Sequence, residues 1–334
     1  MRTFLIAIAA AGSLAAQDAP KKQVVCTLPV LKSIADELSG GAFEITALSK
    51  PDQDPHFVSP TPALMKKLRD AELFIEIGLQ LELWADEVAN GSSNGRITKG
   101  AGGRLIASNG VSREEIPQVV DRKLGDVHPE GNPHIWLSPP RVKLIAENIA
   151  EGLKRAEPSR SGDIDKRLQA FKDRVDEALF GADLIKEVGA RSLARKALDG
   201  SLLAYLEERK LTDKIGGWLK KAAPLRGQKV VQQHKIWIYF AKLFDFQLVG
   251  SVEERPGIPP GPPHLRQLVD TIRNEKVRLI IVDNFYDPAN ARWLAEQTGA
   301  KVAIVPDQPG GEAGTDDYFK FMDHVLDRMT EALK

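Results

Sequence analysis

Cysteine is almost absent from this chain of 334 residues: Cys26 stands alone. One thiol cannot make an internal disulfide, a cysteine-based zinc finger or a CxxC redox pair. An excess of either charge is also missing, because Lys+Arg and Asp+Glu both number 46. So even a balance excludes nucleic acid and an anionic membrane surface as expected partners, since both attract a basic excess. No run after the first residues approaches the roughly 20 apolar residues that span a bilayer. A Walker A sequence, an HExxH pair and a complete G-x-G-x-x-G fingerprint are likewise lacking. Any metal site must therefore be built from histidine and carboxylates.

What is present begins with MRTFLIAIAAAGSLAAQ, one arginine followed by an apolar run and small residues. This reads as a signal peptide over residues 1–17, with secretion the expected fate. Its removal takes away only Arg2 among the charges and leaves 45 basic against 46 acidic residues, a net charge near −1. Cys26 lacks the L-x-G-C context of a lipid-attached cysteine.

Apolar β-rich runs then alternate with helical patterns. KQVVCTL precedes a helical 31–39, FEITALS precedes 61–70, LFIEIG precedes 81–89, and GRLIAS is followed by a helix from Pro140 to about Arg155. The same grammar restarts at QKVVQ and runs through QLVGSV, VRLIIVD and KVAIVP with helical patterns at 235–245, 263–275 and 288–298. The expected fold is α/β: two lobes, each a mostly parallel sheet flanked by helices. Residues 164–222 are charged and amphipathic without a clear strand, and Gly181, Gly189, Gly200 and Gly216-Gly217 punctuate them. They read as a long connecting helix with a helical insertion. The expected division is an N-terminal lobe at 18–163, a connector at 164–224 and a C-terminal lobe at 225–334.

Four residues stand out by position. His56 lies in a loop stiffened by Pro55, Pro60 and Pro62 after FEITALS, and open α/β sheets place ligands at the C-terminal ends of their strands. His134 lies in GNPHIWLSPPR, bracketed by Pro133 and Pro139, with Trp136 as a large anchor. His234 follows the strand QKVV, and Asp307 follows KVAIVP in a glycine-rich loop. Singly, each has an ordinary reading as a solvated loop residue, a helix-start residue or a turn former. Jointly, three imidazoles and a carboxylate, two from each lobe, form the tetrahedral set that a borderline divalent cation such as Zn²⁺ takes. His128 and Glu130 read as loop polarity, and His264 and His324 as surface or packing residues. Gly91-Ser92-Ser93-Asn94-Gly95 matches G-x-S-x-G but follows a helical pattern, so it is not expected to be a nucleophile elbow.

The ordered blocks DPHFVSPTP, AELFIEIGLQLELWAD, NPHIWLSPPRVKLIAENIAEGL, VVQQHKIWIYFAKLF, IPPGPPHL and VPDQPGG…DDYFKFM cover nearly all of 23–330. Together they resemble the extracytoplasmic zinc- and manganese-binding proteins of metal ABC importers. The resemblance implies His56, His134, His234 and Asp307 as metal ligands, a metal ion as cargo, a membrane permease as partner, and a monomer without catalytic activity. Zn²⁺ is the expected metal, with Mn²⁺ or Fe²⁺ as alternatives, because a carboxylate in place of His234 would favour oxygen-preferring Mn²⁺. Ser138 stands where relatives commonly carry an aspartate. The histidine-rich loop of many zinc-specific relatives is missing, with only Asp126, His128 and Glu130 in its place. The connector near 180–215 is longer than usual. Rival readings are a secreted zinc hydrolase with Glu130 or Asp54 as general base, and an adhesin-like role for the same fold.

Overall fold

The computed structural model describes residues 20–118, 128–255 and 257–334. The expected signal peptide and Asp126 lie outside the described residues. Two four-stranded sheets carry the fold, and every strand pair is parallel. The first contains β1 (Gln23–Cys26), β2 (Glu44–Ala47), β3 (Ala71–Glu76) and β4 (Arg104–Ile106) in the order β2-β1-β3-β4. The second contains β5 (Lys229–Gln232), β6 (Gln247–Ser251), β7 (Leu279–Asp283) and β8 (Lys301–Val305) in the order β6-β5-β7-β8. Both sheets thus share one topology, and each order reverses beside its first strand, where such sheets open a crevice at their C-terminal ends.

Helices α1 (Pro29–Ser39), α2 (Pro62–Leu68) and α3 (Ala85–Gly91) serve the first sheet. Proline at the first turn suits α1 and α2, because that position has no intrahelical N–H bond to lose. The pattern at 81–89 becomes a later helix. The chain first passes through Gly78, Leu79 and Gln80 at φ of 80°, 56° and 61°, and Glu82 accepts bonds from Ile77 N and Gly78 N. Only past this turn does α3 begin.

Helices α4 (Pro139–Ala156) and α5 (Ser161–Phe180) lie antiparallel, tied by Lys143 to Asp176 at 2.6 Å and by an ion pair of Lys172 with Glu147. Beyond α5 come α6 (Ala182–Val188), α7 (Ala190–Asp199), α8 (Leu202–Glu208) and α9 (Gly217–Lys221). Breaks fall at Gly181, Gly189 and Gly200, all at positive φ. No strand occurs among residues 164–222, as their sequence pattern predicts. The second sheet is flanked by α10 (Ile238–Phe244), α11 (Pro262–Asn274), α12 (Ala289–Thr298) and α13 (Tyr318–Ala332). The Asp317 carboxylate caps α13 by accepting from Phe319 N and Lys320 N, both at 2.9 Å.

One apolar cluster runs through both sheets, from Val24 and Ile75 through Trp136 and Phe171 to Trp237, Ile281 and Met329. Full burial of such side chains stabilises the fold by about 1.5–3 kcal/mol each. Two smaller clusters cover the outer faces, one around Phe74 and Trp84, the other around Val231 and Ile280. A core shared by both sheets holds their C-terminal ends in fixed apposition, and the candidate residues project from those ends.

Candidate metal site

His56 follows β2, His134 follows β4, His234 follows β5 and Asp307 follows β8. One nitrogen from each of the three imidazoles lies within 4.8 Å of the other two. Ring centroids stand 5.4 Å apart for His56 and His134, 5.5 Å for His56 and His234, and 6.1 Å for His134 and His234. His134 and His234 are buried, and His56 is half-buried.

The first two imidazoles are set by the same local device. Asp54-Pro55-His56 and Asn132-Pro133-His134 each fold so that the Oδ1 of the first residue accepts the backbone N–H of the histidine, at 2.9 and 3.0 Å. The same oxygen faces Nδ1 at 2.7 Å in the first case and 2.9 Å in the second. Such Asx-type turns are a standard property of short polar side chains. The Asn132 amide is fixed by donating from Nδ2 to Glu115 Oε2 and to the Lys235 carbonyl. Its Oδ1 can only accept, so Nδ1 of His134 carries the proton and Nε2 keeps its lone pair.

His234 is set differently. Residues 234–237 turn between β5 and α10, with Gln232 Oε1 accepting from Trp237 N, so the helix begins at Ile238 and not at 235. Glu253, just past the neighbouring strand β6, places Oε2 at 2.8 Å from His234 Nδ1 and accepts from Gly257 N at 3.0 Å. The Tyr286 ring stacks on His234 at 6.0 Å, while its hydroxyl donates to Asp54 Oδ2 at 3.1 Å. In all three histidines Nδ1 thus faces an oxygen, an arrangement that orients imidazoles and raises their basicity at metal sites.

Electrostatics favour a neutral imidazole at His134. Burial, reinforced by the neighbouring His56, His234 and His128, pushes His134 well below its ordinary pKa. Burial pushes the Asp54 carboxyl up, but the bonds and charge of His56 outweigh it and hold it below the usual range. Asp307 is 1% exposed, and among the described residues neither of its carboxylate oxygens has a hydrogen-bond partner. Burial, then the charge of Asp54, raises its pKa to about 8. Its carboxylate stands beside the three-histidine cluster, not inside it. Its main chain is pinned, because Trp136 Nε1 donates to the Asp307 carbonyl at 2.8 Å.

His128 departs from the loop-polarity reading: its Nε2 lies 3.1 Å from His56 Nε2. Glu130 is exposed and pairs with Arg113. His264 bonds the Ser251 carbonyl and His324 pairs with Glu312, both away from the cluster. Ser138 Oγ accepts from Arg141. Ser92, in the G-x-S-x-G match, is buried in the turn after α3 and donates to the Ala89 carbonyl. Asn132, Glu253 and Tyr286 are not among the residues expected from sequence, and Asp54 is expected there only as a base. The repeated Asx-Pro-His tripeptide is the signal that points to Asp54 and Asn132.

Two topologically matched parallel-sheet lobes with histidines gathered between them define a bilobal binding protein of the metal-capture type. The sequence model described as zinc-uptake complex component A, periplasmic, matches residues 24–179 and 203–332, and the chain belongs to that family of metal ABC importer binding proteins. It is similar to the iron-binding protein YfeA of Yersinia pestis, at 23% identity over 93% of this chain and 86% of that one. It is also 22% identical to the zinc-binding protein AdcA of Streptococcus pyogenes serotype M3, over 92% of this chain and 55% of that relative's length. Among solved structures, a crystal structure of ZnuA superposes with a TM-score of 0.68 at 19% identity, covering 94% of this chain and all of that one. A manganese-bound periplasmic metal-binding protein from Candidatus Liberibacter asiaticus gives 0.65 at 18%, with the same coverage. These likenesses are of fold.

Proposed function

We propose that the protein captures a divalent transition-metal ion, zinc in first place, outside the cytoplasmic membrane through His56, His134, His234 and Asp307, and delivers it to an ABC permease. The observation that carries this reading is the convergence of three imidazoles whose Nδ1 atoms each face an oxygen. Tetrahedral zinc with bonds of about 2.0–2.1 Å requires ligand nitrogens roughly 3.4 Å apart. From a spread of 4.8 Å, small side-chain adjustments suffice. A rotation of the Asp307 side chain completes the set and gives its two unpartnered oxygens a cation.

The lobes of this reading are 18–163 and 225–334, joined by the connector at 164–224. Four protein ligands close the coordination sphere and leave no open position for hydrolytic water, which favours binding over catalysis. Balanced charge gives nucleic acid no field to follow, and the proposed working form is a monomer. Three nitrogens against one oxygen favour Zn²⁺ over Mn²⁺ or Fe²⁺. Mass spectrometry of metal content, followed by competition calorimetry with Zn²⁺ and Mn²⁺, tests the proposal. A protein that takes up no zinc at micromolar concentration overturns it, and one that prefers Mn²⁺ overturns the choice of metal.

A further inference from the structure

We propose that the groove formed by α6 and α7 against α4 and α5 is a docking site for an acidic, amphipathic helical segment of a partner protein. This goes beyond the capture reading and does not depend on which metal is carried. Residues 180–202, which include both α6 and α7, lie outside the family match. One wall of the groove, α6 and α7, is therefore built from a part of this chain that the family match does not reach, while α4 and α5 form the other wall inside the match. It has a volume of about 1030 Å³ and lies open along the helices. That is large and shallow for a small-molecule pocket, and it suits a helix laid into a groove.

Pro140, Leu144, Val188, Ala194 and Leu198 supply its apolar lining. Leu198 is 40% exposed, one of the few large apolar side chains left open to solvent among the described residues. The charges around this lining are unevenly satisfied. Lys143 holds Asp176, Lys172 holds Glu147, and Asp173 accepts from Gln169 Nε2 at 2.8 Å. Arg191 and Arg195 line the same groove, one helical turn apart on α7. Both are exposed, and neither makes an ion pair or side-chain hydrogen bond among the described residues. The acid on their own helix, Asp199, accepts two bonds from Ser201 and shares its charge between Arg195 and Lys196 at the exposed end of the helix, so Arg191 has no acid of its own there. Two guanidinium groups without an ion pair among the described residues, facing one groove carboxylate, Asp173, that is bonded only to a neutral amide, leave a small basic excess beside an apolar strip; carboxylates at matching spacing beside an apolar stripe complement it.

The position of the groove says where the partner sits. Helix α4 starts directly after the turn that carries His134, so its first half lies at the metal-bearing end of the molecule. The pairings of residue 143 with 176 and 147 with 172 place the second half of α5 at that same end. The groove uses these halves, and a protein that meets the metal-bearing end can reach it.

The test uses the full mature chain and a labelled 14-residue helical peptide with leucines at i, i+3, i+4 and i+7 flanked by glutamates, read by fluorescence anisotropy. A second peptide carries lysine in place of each glutamate. The acidic peptide should bind, more weakly as salt rises, and the basic one should not. Arg191→Glu with Arg195→Glu should weaken binding about tenfold, and the glutamine pair by less, while zinc binding stays unchanged. Leu198→Asp should weaken it as well. Equal binding of both peptides, or no binding of either, overturns the proposal. A wild-type dimer in sedimentation that the arginine variants dissolve also overturns it, because the occupant is then a second copy.

Discussion

Asp307→Asn should stabilise the metal-free protein and cripple the metal-bound one. The wild-type carboxyl is buried with no hydrogen-bond partner among the described residues, and its pKa rises from 3.8 to about 8. A group whose pKa is raised by folding contributes its stability fully below the unfolded value and loses it as pH rises towards the folded one. Between pH 3.8 and 7 that loss amounts to roughly 3 pH units at about 1.4 kcal/mol each, on the order of 4 kcal/mol. Asparagine does not titrate and escapes this loss. Without metal, the variant should therefore match the wild type near pH 4 and exceed it increasingly up to pH 8. Zinc at 100 times its Kd should restore about 2.7 kcal/mol to the wild type, and much less to a variant that has lost a charged ligand. Urea unfolding at pH 4, 6 and 8, with EDTA and with zinc, measures both effects. Parallel pH profiles in EDTA would refute the buried-carboxyl argument, and equal stabilisation by zinc would refute Asp307 as a ligand.

Three further outcomes follow from the same structure. Glu253→Gln should weaken zinc binding about 10- to 100-fold in calorimetry, because His234 loses the carboxylate that orients it. Glu82 is buried beside Glu76 and its pKa is pushed up to about 7, so its contribution to stability is complete below pH 4.5 and lost as pH rises through 7. Glu82→Gln should flatten that part of the unfolding profile, by about 3 kcal/mol across the interval. Gly217 has φ of 52°, and a Cβ there would stand 2.1 Å from the Ala178 carbonyl oxygen. Gly217→Ala should cost more than about 2 kcal/mol in thermal unfolding while leaving zinc affinity intact, since Gly217 meets α5 at Ala178 and lies away from the histidine cluster.

Much of the frame is legible in the sequence because parallel strands buried on both faces read as short apolar runs, and KVAIVP or VRLIIVD admit few other readings. Proline and glycine mark the loops that carry His56, His134 and Asp307, so these positions are legible as well. Glu253 is not. It meets His234 only because β6 pairs with β5, a fact of sheet order that no local pattern encodes. Tyr286 likewise reaches Asp54 across 232 positions of sequence. His128 stands 72 positions from His56, and only tertiary packing brings the two rings together.

The two halves of the site are consequently built by different physics. In the first lobe, an Asx-Pro-His turn fixes each imidazole within three residues of chain. In the second, His234 depends on a neighbouring strand end and Asp307 on the other lobe's Trp136. Further bonds cross between the halves: Tyr318 Oη donates to the Trp136 carbonyl, Tyr239 Oη to that of Asn132, and Val30 N to Gln308 Oε1. With one core spanning both sheets, a wide hinge opening would break these bonds and expose Trp136 and Trp237 together. The movement that the structure leaves inexpensive is local. Asp307 has a pinned main chain and an unpartnered side chain, so its carboxylate can swing towards the imidazoles while its backbone stays fixed. In the proposed capture, loading is a side-chain event on a standing frame, in which the buried Asp307 carboxyl exchanges its proton for the cation and no energy is spent on moving lobes.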